Sequence, residues 1–324
     1  MLRAKKNSLF LLFILFGVFL LVQTGMAKEF PDHPITLVSP TGPGMQDTMA
    51  RIVSKAAEKE LGVPIVVESK PGAAGTIGVN YVLKSKPDGY TLGSLVTSAY
   101  FIIPHMRKVP YNPFTDSIDI TTIYKYNFGL AVRADAPWNS IGELLTYVKN
   151  NPGIFTYSTA GVGRPQHICM EQIALKRWLK WTHIPFNSGG ESVTACLGGH
   201  ADGTAQGSAD LIPYIKAGKL KLLVTLDDRR WPGYPDVPNI MEIEKDICAL
   251  SYGSIFVPKG VPENVVKKLE EAFTKAKKDP TYIESAAKFQ VEIGSYSGKE
   301  YSNLWRSKYE EMGKIIKQLG IKEE

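Results

Sequence analysis

Four short stretches place glycine or small polar residues after a predicted strand, and three of them also precede a predicted helix. They are S-P-T-G-P-G-M-Q-D (39–47), V-T-S (96–98), S-T-A-G-V-G-R-P-Q-H (158–167) and N-S-G-G-E (187–191). Ligands of open α/β sheets bind beyond the carboxyl ends of the strands. A helix start carries roughly half a positive charge, and its N–H groups bind carboxylate or phosphate groups. Together the four stretches predict a cleft for a small anion.

The sequence shows neither a dinucleotide-binding motif nor the spacing of metal ligands. Residues 72–78 space their glycines as GxxGxxG, unlike the GxGxxG of dinucleotide sites, so we predict no cofactor. Cys169, Cys196 and Cys248 lack metal-ligand spacing, so we predict no metal. Either a Cys169–Cys196 disulfide or three buried free thiols fits this odd cysteine count.

Two side chains near these stretches have alternative interpretations. Ser158 and His167 could form a hydrolase pair, but the sequence lacks the GxSxG nucleophile elbow. A buried, hydrogen-bonded helix histidine is the default interpretation of His167. Asp47 either complements the start of its own helix or shapes the pocket.

The N-terminus predicts export. Three basic residues precede an apolar run over residues 9–22, and T-G-M-A (24–27) supplies the small residues that a signal peptidase needs. The run is shorter than the roughly 20 residues that span a bilayer. We therefore expect a signal peptide over residues 1–27, cleaved after about Ala27, and a periplasmic protein that is not embedded in the membrane. Removing three of the 38 basic residues lowers the formal net charge from +6 to +3, which does not indicate nucleic-acid binding.

The elements that must position the four stretches alternate between apolar runs rich in β-formers and helical periodicity. Strands are predicted at Ile35–Ser39, Ile65–Glu68, Thr91–Thr97, Phe128–Arg133, Phe155–Thr159, Thr182–Phe186, Leu220–Leu226 and Gly253–Val257. Helices are predicted at 49–61, Gly75–Lys84, Ile141–Lys149, Gln166–Leu179, Glu191–Leu197, Ala209–Ala217, Pro262–Lys277, Tyr282–Ala287 and Lys299–Leu319. This order predicts an α/β fold with parallel or mixed sheets that are flanked by helices.

Chain crossings are expected at the strand Phe128–Arg133 and just before Gly253–Val257. They would divide the chain into two lobes, the first formed by residues 28–127 and 250–324 and the second by residues 128–249. Lobes joined in this way can hinge around a cleft.

A set of motifs follows in order along the chain. It comprises P-T-G-P-G-M-Q-D-T-M-A-R (40–51), V-E-S-K-P-G-A-A-G-T-I-G (67–78), K-P-D-G-Y-T-L (86–92), S-T-A-G-V-G-R-P-Q-H (158–167), I-P-F-N-S-G-G (184–190), L-G-G-H-A-D (197–202), I-K-A-G-K-L (215–220), P-D-V-P-N-I-M-E (235–242) and G-S-I-F-V-P-K-G-V-P (253–262). Taken together, the set resembles the tripartite tricarboxylate transporter receptors, the TctC or Bug family.

The resemblance implies a two-lobed fold similar to type II periplasmic binding proteins, with a ligand cleft between the lobes. It also implies a receptor, not an enzyme, that captures a small organic carboxylate and delivers it to a two-component membrane permease. We expect the protein to be a monomer. Two alternatives remain open: an accessory ligand sensor for a membrane histidine kinase, and a secreted serine hydrolase.

For the site, the resemblance implies that backbone groups of loops 40–47 and 158–164 hold one carboxylate, and that side chains around 97–101, 186–190 and 206 select the rest of the ligand. The predicted ligand-binding residues are Pro40, Thr41, Gly42, Gly44, Met45, Gln46, Asp47, Thr97, Ser98, Ser158, Thr159, Ala160, Gly161, Gly163, Arg164, His167, Phe186, Asn187, Ser188, Gly189 and Gln206.

Three of the side chains in these regions have two roles open. Arg164 is either a bidentate clamp for a distal carboxylate or a solvated residue at the lip of the cleft. Tyr100 and Phe101 either form a wall of the pocket or pack in the core.

Overall fold

The computed structural model describes residues 29–42 and 44–321, so the predicted signal peptide lies outside the described residues. The strands are β1 (Ile35–Ser39), β2 (Ile65–Ser69), β3 (Thr91–Val96), β4 (Ser117–Lys125), β5 (Phe128–Arg133), β6 (Thr156–Thr159), β7 (Thr182–Pro185), β8 (Gly203–Gly207), β9 (Leu220–Thr225), β10 (Tyr252–Pro258) and β11 (Glu292–Ile293). The α-helices are α1 (Met45–Leu61), α2 (Thr76–Leu83), α3 (Ile103–Met106), α4 (Ile141–Asn150), α5 (Pro165–Arg177), α6 (Gly189–Leu197), α7 (Ser208–Lys216), α8 (Glu263–Ala276), α9 (Pro280–Lys288) and α10 (Gly298–Gln318). Short helical turns lie at Ala73–Gly75, Ser98–Ile102 and Ile240–Glu242.

The first sheet has six strands in the order β11-β4-β10-β3-β1-β2. Strands β1, β2 and β3 are parallel, whereas β10 runs antiparallel to both β3 and β4. Both faces of the sheet are covered, because neighbouring strand residues belong to different cores. Leu37 packs with α1 and α8, whereas Val38 packs with α2 and α10. We call this sheet and its helices lobe 1.

The second sheet has five strands in the order β7-β6-β8-β5-β9, with parallel pairs at β6 and antiparallel pairs at β5. On one face Leu130 and Val132 pack with α4 and α5. On the other face Ala131 packs with α6 and α7. We call this sheet and its helices lobe 2. The predicted two-lobed α/β fold with mixed sheets is therefore confirmed.

The chain passes from lobe 1 to lobe 2 between β4 and β5 and returns between β9 and β10. Polar contacts bridge the lobes beside these crossings: Lys125 pairs with Asp228, and Arg229 pairs with Glu292. The limits 28–127, 128–249 and 250–324 stay a prediction, because a change of sheet does not by itself fix where a domain ends.

Three of the strands were not predicted from the sequence. In β4, Asp119 and Lys125 interrupt the apolar pattern; the Asp119 carboxyl is buried, which raises its pKa to about 7. β8 reads G-T-A-Q-G, a composition depleted in β-formers, and pairing on both sides makes it a buried strand. β11 has only two residues.

Two further sequence questions are answered by the fold. Cys169, Cys196 and Cys248 are all free thiols, which excludes the Cys169–Cys196 alternative in this structure. No helix in the part of the chain that the structure describes is long and apolar enough to cross a membrane.

Candidate functional site

A cavity of about 250 Å³ lies between the lobes. Lobe 1 contributes Gln46, at the start of α1, and Ser98, just after β3. Most of the remaining wall comes from lobe 2, including Arg164 at the start of α5 and Asn187 before α6. Helix starts from both lobes therefore meet at the carboxyl ends of the strands, as expected for an α/β ligand site.

A second cavity of about 210 Å³ adjoins the first. The two share Ser98, Ala160, Arg164 and Asn187, so these four residues stand where the cavities meet. We call the two cavities together the ligand cavity. Of the predicted site residues, those in its walls are Gln46, Ser98, Ala160, Gly161, Gly163, Arg164, Phe186, Asn187, Ser188, Gly189 and Gln206.

The loop before α5 is shaped by two glycines with positive φ. Gly161 has a φ of 126° and Gly163 a φ of 72°, a region that side chains other than glycine rarely adopt. The Gly161 N–H donates to Thr159 Oγ1 at 3.2 Å, and the Gly163 N–H donates to His167 Nδ1 at 3.1 Å. These two N–H groups fix the shape of the loop, so they are not free donors for a ligand.

His167 supports this loop from inside lobe 2. Its ring is buried and stacks on His183 with the centroids 4.0 Å apart. Burial and the neighbouring His183 lower the pKa of His167 to about 3. The ring is therefore neutral at physiological pH, and because Nδ1 accepts a hydrogen bond, the proton resides on Nε2. This matches the interpretation of His167 as a buried, hydrogen-bonded helix residue.

The loop before α1 contributes less to the cavity. Helix α1 starts after Gly44 without a side-chain cap, so N–H groups of its first turn remain donors. The Asp47 carboxylate accepts from Arg51 Nε at 2.7 Å and from Ser69 Oγ at 2.9 Å. Although burial opposes its charge, these hydrogen bonds lower the pKa of Asp47. Asp47 thus ties α1 to β2 and does not shape the pocket.

Several predicted residues lie outside the walls of the ligand cavity. They are Pro40, Thr41, Gly42, Gly44, Met45, Asp47, Thr97, Ser158, Thr159 and His167. Thr97, for example, is fully buried, and its Oγ1 accepts from the Tyr252 N–H at 2.8 Å. Ser158 is also fully buried; its Oγ donates to the Ser192 carbonyl at 3.0 Å and accepts from Ser192 Oγ at 2.9 Å. These hydroxyls satisfy buried backbone or helix contacts.

Tyr100 and Phe101 belong to the core. Tyr100 is completely buried, and the Phe101 ring stacks on Trp305 with the centroids 4.5 Å apart. Their core alternative is therefore the one that the structure supports.

The sequence interpretation missed several residues of the cavity wall. They are Ala74, Ile103, Tyr126, Phe128, Val162, Pro165, Gln166, Gly207, Asp210 and Ser251. Tyr126 and Ser251 lie at the two crossings between the lobes, which no local motif marks. Asp210 lies in the first turn of α7 after β8, a strand-to-helix junction that could have been found once β8 was recognised.

The charged groups of the cavity have different surroundings. Arg164 is exposed and has no ion pair within residues 29–42 and 44–321. Burial raises the pKa of Asp210. Burial also raises the pKa of Tyr126; Asp210 adds to this shift, whereas a hydrogen bond with Gln46 and the charge of Arg164 oppose it. In the described residues no three His, Cys, Asp or Glu side chains gather in a way that could hold a metal ion.

Comparisons with known proteins place most of the chain in one family. The TctC model, described as the tripartite tricarboxylate transporter family receptor, matches residues 49–321. The UPF0065 protein in the gbd 5′ region of Cupriavidus necator is 35% identical over 306 residues, which cover 94% of this chain and 93% of that protein.

Solved structures share the fold. A TctC solute-binding protein from Polaromonas, without ligand, superimposes with a TM-score of 0.81 at 28% identity and covers 89% of this chain and 99% of its own. A Rhodopseudomonas palustris protein with adipate gives a TM-score of 0.76 at 22% identity, covering 91% and 99% of the two chains. MatC from Rhodopseudomonas palustris with bound malate gives a TM-score of 0.72 at 24% identity, and the match covers 89% of this chain and 100% of MatC.

The cleft between two α/β lobes is what a solute receptor requires, and both the family match and the 35% identical relative extend over most of the sequence. The chain belongs to the TctC family of tripartite tricarboxylate transporter receptors.

Proposed function

We propose that this protein is an extracytoplasmic solute-binding protein that captures a small organic carboxylate and delivers it to a tripartite tricarboxylate transporter permease. The observation that carries this proposal is the polar cavity of about 250 Å³ with walls from both lobes. A ligand held by both lobes stabilises one arrangement of the lobes over others, and a permease can recognise that arrangement.

The carboxylate is expected near Arg164. The guanidinium has no ion pair among the described residues, and charge-assisted bidentate hydrogen bonds to a carboxylate are among the strongest available to a side chain. Helices α1 and α5 both start at the cavity without a side-chain cap. Their free N–H groups and dipoles add to the attraction for an anion.

Ligand binding is tested with the protein lacking residues 1–27 in a thermal-shift screen of mono-, di- and tricarboxylates, adipate and malate included. Ligands that bind the folded state raise the melting temperature. Hits are then measured by calorimetry. Absence of any stabilisation by the whole panel would contradict the proposal.

The role of Arg164 is tested by Arg164→Ala, with Lys149→Ala as a control that removes an exposed positive charge on α4 away from the cavity. We expect Arg164→Ala to weaken the best hit by about tenfold or more, since a hydrogen bond to a charged group contributes roughly 1.5–3 kcal/mol. Lys149→Ala should bind as the unaltered protein does. Equal affinities of all three proteins would show that Arg164 is solvated at the lip.

Delivery to the permease is tested by uptake of the labelled hit into cells that lack the gene for this protein or the permease genes. Loss of uptake in both deletions supports transport. Unchanged uptake in both, with loss of a transcriptional response to the ligand, would favour the sensor alternative instead.

A further inference from the structure

Asp210 is an acidic side chain in a cavity that we expect to receive an anion. It occupies the first turn of α7 and lies in the cavity wall together with Tyr126, Ser188 and Gln206. A negative charge in this place opposes a simple carboxylate ligand. Its presence therefore favours a ligand that carries a positively charged group in addition to its carboxylate.

The position of the Asp210 carboxylate depends on two glycines. A methyl group at Gly189 would lie 2.3 Å from Asp210 Oδ2, and one at Gly207 would lie 3.6 Å from the same atom. The absence of a side chain at Gly189 thus leaves room for the carboxylate beside the first residue of α6.

This carboxylate lies beside the start of α6, and no side chain within residues 29–42 and 44–321 pairs with it. Asp210 forms neither a hydrogen bond nor an ion pair there, and burial is the cause that raises its pKa. By contrast, Asp47 in the other lobe is held by Arg51 and Ser69. A carboxylate that has lost water without gaining a partner favours binding of a cation or a hydrogen-bond donor.

The cavity therefore has two poles. Arg164 stands where the two cavities meet, whereas Asp210 borders only the larger one. At the acidic pole the start of α6 already has its own cap, because Ser188 Oγ accepts from the Glu191 N–H, and Asp210 supplies the negative charge that a helix start attracts. An anionic ligand group is thus directed to Arg164 and away from α6.

Two glutamines in the same wall each have one amide atom without a hydrogen-bond partner among the described residues. Gln166 Oε1 and Gln206 Nε2 are buried atoms without a hydrogen-bond partner among the described residues, and both side chains line the larger cavity. Neither atom reaches solvent in this structure, so a ligand acceptor or donor satisfies it only after the side chain turns toward the cavity.

We propose that the ligand is a carboxylate that also carries a protonated amine, and that Asp210 is the residue that binds the amine. This inference rests on the proposed function as a carboxylate receptor, and it assigns a second specificity-determining residue to the same cavity. Arg164 and the starts of α1 and α5 bind the carboxylate, while Asp210 distinguishes amino compounds from plain carboxylates.

The test compares ligands with the same carbon frame. Succinate, L-malate and L-aspartate differ only in a hydrogen, a hydroxyl or an ammonium group, and glutarate, L-2-hydroxyglutarate and L-glutamate form a second such series. The thermal-shift screen also includes the remaining common amino acids, each beside its desamino counterpart. Affinities of the hits are measured by calorimetry at neutral pH.

We expect the amino compound to bind at least about tenfold more tightly than its desamino counterpart. A charge-assisted hydrogen bond between the ammonium group and Asp210 would supply a gain in affinity of this size. Asp210→Asn should remove this preference, and because it also removes the negative charge that opposes a simple carboxylate, the affinity for the plain carboxylate should rise. Asp236→Asn, which removes an exposed acidic charge elsewhere in lobe 2, is the matched control and should change neither affinity. Asp210→Ser serves as a second variant, and melting curves show that each variant is folded.

The outcomes separate the two proposals. A preference for the hydroxy compound equal to that for the amino compound would overturn the ammonium assignment. Tight binding of plain carboxylates alone, or an amine preference that survives Asp210→Asn, would also overturn it while leaving the receptor function intact. Failure of every carboxylate with or without an amine would contradict the proposed function itself.

Discussion

The loop before α1 (residues 40–44) and the loop before α5 (residues 160–164) each join the carboxyl end of a strand to a helix, and both are rich in glycine. In the loop before α5, Gly161 and Gly163 adopt positive φ, and their N–H groups donate to Thr159 and His167. In the loop before α1, neither Gly42 nor Gly44 lies in the left-handed region.

The two loops consequently differ in what they give to the cavity. Residues 160–164 line it along their whole length, whereas the region 40–47 reaches it through Gln46. Similar composition at equivalent junctions therefore predicts where a ligand site is, but it does not show which loop forms the wall. Five predictions test this difference, from the largest expected effect to the smallest.

Removal of His167 should have the largest effect. His167→Ala leaves the Gly163 N–H without its acceptor and opens a space beside His183, so we expect the free energy of unfolding to fall by about 2–3 kcal/mol. Ligand affinity should fall by about tenfold, because the loop loses its support. Denaturant unfolding and calorimetry measure both, and His200→Ala, an exposed histidine of lobe 2, is the control.

The pH dependence of stability tests whether His167 is buried and neutral in the folded protein. Because the pKa of His167 is about 3 in the folded protein and 6.5 ordinarily, its contribution is complete above pH 6.5 and is lost as the pH falls towards 3. The loss amounts to about 1.4 kcal/mol per pH unit for this group. Unfolding followed between pH 4 and 7 should show a shallower slope for His167→Gln. Identical slopes would contradict a buried neutral His167.

A methyl group should be tolerated in one loop and not in the other. Gly161→Ala forces a φ of 126° on alanine, and we expect a loss of about 1–3 kcal/mol in the free energy of unfolding and weaker ligand binding. Gly42→Ala is the matched control, since nothing lies within 4 Å of its added methyl group. Equal destabilisation by the two substitutions would remove the distinction between the loops.

Asp47 should affect stability without affecting the ligand. Asp47→Asn weakens the contacts with Arg51 and Ser69, and because Arg51 is half exposed we expect a loss of about 1 kcal/mol at pH 7. The lowered pKa of Asp47 means that this contribution is present above the usual value of 3.8 and disappears as the pH falls below it. Calorimetry should give a ligand affinity within about twofold of the unaltered protein. A larger change in ligand affinity would show that Asp47 does shape the pocket.

Gln46 should show the smallest effect. Its side chain lines the cavity beside Tyr126, and a neutral hydrogen bond contributes roughly 0.5–1.5 kcal/mol. Gln46→Ala should therefore weaken the best hit only about threefold to tenfold by calorimetry, and leave stability nearly unchanged. A loss as large as that of Arg164→Ala would mean that the two loops contribute equally.

Much of the fold follows from local pattern. The spacing of Met49, Val53 and Leu61 predicts the buried face of α1, and β1 and β5 have the predicted limits. The strands that were missed lack such a pattern. In β8, Gly203 is required because an added methyl group would lie 2.9 Å from the Phe155 ring, and such a contact between distant residues leaves no local signal.

The candidate site divides in the same way. Arg164, Asn187 and Ser188 could be proposed because they occupy strand-to-helix junctions that the sequence marks with glycine. Tyr126, Asp210 and Ser251 could not, since they reach the cavity only through the crossing of the chain between lobes and the position of a strand with little β-propensity.

The sequence alone determined the α/β class, the family resemblance and the junctions at which a small anion would bind, because helix periodicity, strand composition and glycine placement are local properties. The tertiary structure decided which groups of those junctions are free. The Gly161 and Gly163 N–H groups are held by Thr159 and His167, whereas Arg164 and Asp210 have no ion pair among the described residues. Hydrogen bonding and burial depend on which residues the fold brings together, and these alone distinguish a group that shapes a loop from one that can bind a ligand.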